Sequence, residues 1–252
     1  VFIDLHVQSR YSSQGSLEPE EIMLRAKSVG LDGVCLTEDR PLRDWAELQK
    51  LAQIHEFQLF GGRLIISDHG HLLFYPQNIE DLIDEHIFPY NQDGQPIAFT
   101  ELVQKAKQLK GILASAHPYH LNIQHPMGDR LFQVKGIDAL EVRNAQFSEL
   151  INDFALEASY HLKLQGIAGS GTRDNLNTLG KVATLFRQKI TSQHELIEAI
   201  RAGEIWPTLI GSKSEIKSKV SNEHRDRRER FDDRRNQRRP LRDNERGTQI
   251  NR

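Results

Sequence analysis

Through the first 211 residues, short strand-like apolar runs alternate with stretches of helical spacing. Strand–helix alternation of this kind admits few architectures, because each helix must return the chain to a neighbouring, mostly parallel strand. The runs at 2–7, 33–37, 57–67, 71–75, 112–116, 138–142, 166–169 and 182–186 read as strands. Helices are expected over 18–29, 42–55, 100–110, 148–164 and 191–202. The first has Ile22, Ala26 and Val29 on one face and Pro19 in its first turn, where proline is tolerated. Asp68, His69 and Gly70 form a turn between two strands. The expectation is an α/β fold with a largely parallel sheet, long enough to close as a barrel.

The alternation stops near Gly211. Residues 212–252 carry three Lys and eleven Arg against eight acidic residues, a surplus of six positive charges. The whole chain is at −2, which leaves the first 211 residues at −8. Ile216, Val220, Phe231, Leu241 and Ile250 are the sizeable apolar residues of this stretch, without a sustained period. Such a segment cannot offset its ordering entropy, so the reading is a barrel domain over 1–211 and a disordered, Arg-rich tail over 212–252. The pairs Arg227-Arg228, Arg234-Arg235 and Arg238-Arg239 suit nucleic acid or an acidic protein surface. Interspersed Asp226, Glu229, Asp232 and Asp233 fit a self-neutralising, solvated tail instead.

A single cysteine, Cys35, excludes a disulfide framework and a Cys-rich zinc site. No apolar run reaches the roughly 20 residues a bilayer span needs. The start lacks the basic and apolar regions of a signal peptide, so a cytoplasmic protein with no membrane partner is expected.

The polar residues concentrate at strand ends. Asp4 and His6 lie in the first strand, Glu38, Asp39 and Arg40 follow the second, and His117 follows the strand at 112–116. Arg143 and Asn144 follow the strand at 138–142, and residues 169–173 follow the next. In a barrel such groups converge on one mouth. His69, His120 and His125 read as loop residues, and Cys35 as an inert buried thiol. Ser170 between Gly169 and Gly171 has neither a nucleophile elbow nor a P-loop around it.

At these positions the chain resembles the PHP (polymerase and histidinol phosphatase) domain family. The resemblance rests on Asp4-Leu5-His6, the stretch from Leu31 to Glu38, Asp68-His69-Gly70-His71, Ala116-His117-Pro118, the stretch from Gly136 to Val142, and Gly169-Ser170 before Leu179-Gly180. It implies a distorted (β/α)7 barrel and a metal-dependent phosphoesterase ancestry, with several cations held at the mouth by His and carboxylates.

Of nine ligand positions the resemblance implies, His6, His71 and His117 match, and Asp39 is a substitute. Gln8, Gln14 (or Ser13), Leu64, Gly171 and Arg173 stand at the other five. Clustered cations need bridging carboxylates, which Leu64 and Gly171 cannot supply, and Arg173 adds a fixed positive charge. One reading is therefore an inactive binding or scaffold module, with Arg40, Arg143 and Arg173 taking a phosphorylated small molecule. The other is a residual phosphoesterase with one divalent ion (Zn, Mn or Mg) on His6, Asp39, His71 and His117. No catalytic residue is assigned, and no tightly bound cofactor is expected.

Overall fold

Strand β1 (Phe2–Val7) is followed by α1 (Pro19–Ser28), β2 (Gly33–Glu38), α2 (Trp45–Ile54), β3 (Gln58–Ser67) and β4 (Gly70–Tyr75). Then come α3 (Glu80–Ile83), α4 (Phe99–Gln108), β5 (Ile112–Ser115), a 3₁₀ turn at Gly128–Phe132, β6 (Ala139–Asn144) and α5 (Glu149–Leu162). The described residues finish with β7 (Gln165–Gly169), β8 (Val182–Phe186), α6 (Gln193–Ala202) and β9 (Ile205–Leu209). The structure is a computed structural model that describes residues 1–92 and 94–211, and Val1–Ile210 form one compact unit. The Arg-rich stretch lies outside the described residues.

The nine strands form one sheet in the order β7-β6-β5-β4-β3-β2-β1-β8-β9. Beyond the end of β7 the chain returns to β1 and nearly closes a barrel. Gly171 N–H donates to His6 O (2.9 Å), Gln8 N–H to Thr172 O (2.8 Å), and Ser170 N–H to Asp4 Oδ1 (2.8 Å). Gly169 permits this approach, because a Cβ there would stand 2.3 Å from His6 Cβ. At the start of β1 the neighbour is β8, and Ala168 N–H donates to Thr184 Oγ1 (2.8 Å) across the seam.

The sheet is less parallel than the sequence implied: four strand pairings are parallel and four antiparallel. The tight turn at Asp68-His69 makes β3 and β4 a hairpin, since parallel neighbours need a longer crossover. The sequence reading also missed β9. Pro207 argues against a strand, yet is tolerated here because β9 ends the strand order and β8 is its ladder partner. Helix α2 begins at Trp45 rather than 42, because Leu42 N–H donates to Leu82 O (2.9 Å) and Asp44 turns left-handed (φ +53°).

Apolar residues fill the barrel interior in one cluster that includes Ile3, Leu5, Phe60, Leu73, Tyr75, Ala114 and Ile167. Leu196, Ile197 and Ile200 of α6 join this cluster. Gln193 at the start of α6 bonds both backbone groups of Gly61 and the carbonyl of Pro76, which closes the end opposite the mouth. Two outer clusters pack α1 and α2 against β1–β3, and α4 and α5 against β4–β6. Among the described residues no helix is long and apolar enough to cross a membrane.

Candidate functional site

Two register slips decide which polar side chains reach the mouth. Pairing of β1 with β2 slips between Asp4 and Val7. The extra residue turns both Leu5 and His6 inward, Leu5 into the interior cluster and His6 into the mouth. Pairing of β6 with β7 slips between Glu141 and Arg143. Here the extra residue turns both Val142 and Arg143 outward, and Asn144 comes back to the mouth.

This second slip corrects the expectation for Arg143. Its guanidinium donates to Asp153 on α5 (2.9 Å) and does not line the mouth. Arg40 and Arg173 do line it, as do His6, Asp39, His71 and His117. Gln8, Ser13, Gln14, Leu64 and Gly171 stand there too, so all the positions at which the resemblance implies ligands gather in one cavity of about 490 Å³.

Glu141 organises its floor. Its Oε1 lies 2.8 Å from His6 Nδ1 and accepts from Asn144 Nδ2 (3.1 Å), while Oε2 accepts from the His117 backbone N–H (2.8 Å). That last bond holds His117 at φ +30°, a backbone region L-residues rarely take. The His6 and His117 rings lie 5.9 Å apart, and those of His71 and His117 5.1 Å.

The three histidines differ in charge. Burial opposes protonation of His6, but the Glu141 carboxylate, helped by Asp4, outweighs it and holds His6 above the ordinary imidazole value. Burial, then the charges of His6 and His120, push His71 down to about 4. Burial, then His6 and His71, push His117 well below its usual range. The floor therefore combines one histidine shifted towards its protonated form, His6, with two shifted towards the neutral form, His71 and His117.

The remaining carboxylates are engaged by the loop after β1. Ser9 donates to Glu38 through its N–H (3.0 Å) and hydroxyl (2.6 Å), and Ser12 Oγ also donates to Glu38. Asp39 accepts from Ser13 N–H (2.8 Å) and Ser13 Oγ. Burial raises Glu38 to about 7 despite these donors. Arg173 Nη1 donates to Gln14 Oε1 (2.9 Å), and its charge acts on His6 and His120. Among the described residues, no group of three or more His, Cys, Asp or Glu is placed to hold a metal ion.

Sequence reasoning missed part of the lining. His120, read as a loop residue, faces the mouth with its ring 5.5 Å from His117 and 4.2 Å from Phe147. Tyr90, Ile123 and Phe147 line it from loops. Loop residues carry no periodicity, so only Asn144 had a signal, by following a strand.

A barrel with its polar side chains gathered at the ends of successive strands defines a class of scaffolds that carry their site at one mouth. This chain belongs to the PHP domain family, whose model matches residues 4–202. It is 28% identical to an uncharacterised protein of Methanocaldococcus jannaschii over 164 residues, 61% of this chain and 88% of that one. Among solved structures it is similar to a two-domain Bacteroides vulgatus protein containing a predicted PHP-like metal-dependent phosphoesterase, with TM-score 0.59 and 17% identity. That match covers 83% of this chain and 65% of the Bacteroides chain. A lesion-specific endonuclease of Pyrococcus furiosus is similar at TM-score 0.57 and 21% identity, over 80% of this chain and 56% of the endonuclease.

Proposed function

We propose that this PHP-family barrel no longer carries a multinuclear metal centre and that its mouth binds a phosphorylated small molecule through arginine. The observation that carries the reading is Arg173. Its guanidinium stands at an implied ligand position, held by Gln14 and acting on His6 and His120. A fixed cation there opposes metal binding and suits bidentate phosphate recognition. Arg40 adds a second guanidinium to the same rim.

The donor set does not fit clustered cations. Glu38 and Asp39 are held by Ser9, Ser12 and Ser13, Glu141 by His6 and His117, and Leu64 offers no donor. Space at Gly171 is also taken. A Cβ there would stand 2.9 Å from Gln146 Cγ and 3.0 Å from Asn144 Oδ1, at a backbone φ of +65°. An aspartate restored at this position would have to displace both neighbours.

The close approach of His6, His71 and His117 favours a second reading, a phosphoesterase retaining one divalent ion (Zn, Mn or Mg), with Asp39 as a further donor. Elemental analysis of protein purified without chelator, with turnover of a generic phosphate ester, separates the two. The proposal expects less than about one tightly bound divalent ion per chain and no metal-stimulated turnover. Two or more ions per chain would overturn it, and one ion with metal-dependent turnover would establish the second reading. We further propose that the folded unit ends near Gly211 and that the Arg-rich stretch contacts nucleic acid or an acidic protein surface.

A further inference from the structure

Outside the mouth, and sharing no residue with it, an open depression of about 400 Å³ lies between α5 and the loop that follows β5. Gly128 N–H donates to Pro118 O (2.8 Å), which ties the two ends of this loop together and sets Tyr119 beside Asp129. The Tyr119 hydroxyl donates to Asp129 Oδ1 (3.1 Å). Phe154, Glu157, Ala158 and His161 recur at helical spacing on α5 and form the facing wall. Ala158 is too short to fill the space, and Phe132 and Phe154 border it half-exposed, at 50% and 46%. The Tyr119 and Phe154 rings lie 5.8 Å apart and inclined by 46°. Large rings left against water in a concave place mark a contact site.

Among the described residues the lining of this depression holds two carboxylates, Asp129 and Glu157, one imidazole, and no Lys or Arg. His161 Nε2 stands 3.7 Å from Glu157 Oε1, a separation longer than a hydrogen bond. Burial, then the Asp129 carboxylate and the charge of Glu157, push the Tyr119 phenol up to about 12, so both acids act on the same ring. Aromatic faces are themselves negative, so rings and carboxylates here favour a guest of one sign. We propose that this depression binds the guanidinium of an arginine in a basic segment of a partner protein. Charge complementarity sets the sign of the occupant, and the rings set its shape. A planar guanidinium lies flat on an aromatic face while its N–H groups reach a carboxylate, and it sheds water more readily than an ammonium. The aliphatic stem of the arginine covers ring surface that otherwise faces water.

Fluorescence anisotropy of a labelled, end-blocked Gly-Arg-Gly-Arg-Gly peptide titrated with the full chain tests this, beside matched peptides with lysine or citrulline in place of arginine. The arginine peptide is expected to bind most tightly, the lysine peptide about two- to fivefold more weakly, and the uncharged citrulline peptide more weakly still. Phe154→Ala should cost the arginine peptide about two- to fivefold, the worth of one cation–π contact at an exposed site. Phe154→Tyr should retain most of the affinity, which separates loss of a ring from loss of fold. Glu157→Gln, at an exposed position, should weaken the arginine peptide and leave the citrulline peptide unchanged, and added salt should weaken the arginine peptide. Citrulline binding as tightly as arginine would make the contact merely apolar, and lysine matching arginine would show attraction to net charge alone; either result overturns the proposal. It is equally overturned if none of the peptides binds, or if Phe154→Ala and Glu157→Gln leave the arginine affinity unchanged, since the peptide then rests elsewhere on residues 1–211, which carry −8.

Discussion

Glu141 is the residue on which the inner mouth depends. It is buried, and it serves His6, the His117 backbone and Asn144 at once. Replacing it by Gln strips the counter-charge from a buried imidazolium, and losing one partner of such a pair costs about 3 kcal/mol. His6 is held above its ordinary value, so the pair contributes fully below about pH 6.5 and fades as pH rises through the folded value. Urea unfolding of Glu141→Gln should therefore show a larger deficit against the parent at pH 6 than at pH 9. Glu38 works in the same sense over a lower pH range: burial raises it from 4.5 to about 7, so the stability associated with its protonated form is present below pH 4.5 and lost by about pH 7. Glu38→Gln cannot ionise, and its stability relative to the parent should rise between pH 5 and pH 8, by up to about 3 kcal/mol. A flat difference between the two proteins would show that Glu38 is ionised throughout. Neither role was legible beforehand. The motif containing Glu141 was visible, but its bond to His6 spans 135 positions. Arg63 carries no such motif role, yet it is fully buried, donates to Leu82 O (2.6 Å), and is lowered to about 10 by burial.

At the scale of elements, the two register slips have more consequence than the strand boundaries. Strand existence was legible because apolar runs bounded by Gly, Asp and Pro mark buried strands, and eight of the nine were read at nearly their observed positions. Facing was not, because period-2 reasoning assumes an unbroken ladder and a bulge reverses it for the residues beyond. Arg143 is the residue this misplaced: counted as a mouth residue, it stands on the helix side with Asp153. Arg143→Ala should change stability by less than about 1 kcal/mol, as for a pair near the surface. It should also leave phosphate affinity unaltered, while Arg173→Ala abolishes most of it. Calorimetric titration of both variants with phosphate checks this, and a loss of affinity in Arg143→Ala would contradict the observed facing of β6.

For the whole molecule, the family and its barrel were legible because six short motifs recur in order along most of the chain, and the family model spans 4–202. The existence of β9 was not, since it depends on pairing with β8 across the intervening helix α6. A chain ending at Gly211 should melt within about 2 °C of the full chain, because residues 212–252 have little apolar surface to bury. A drop of several degrees would place the folded boundary further along. The first 211 residues carry a net charge of −8, so the proposed anion site relies on the local charge of Arg173 and Arg40. The most direct test of a mouth rebuilt from metal to guanidinium chemistry is calorimetric titration of the full chain with inorganic phosphate in excess EDTA. The account predicts saturable one-site binding that the chelator leaves unchanged, that weakens with added salt, and that Arg173→Ala removes. Binding that disappears with EDTA and returns with a divalent cation would contradict it.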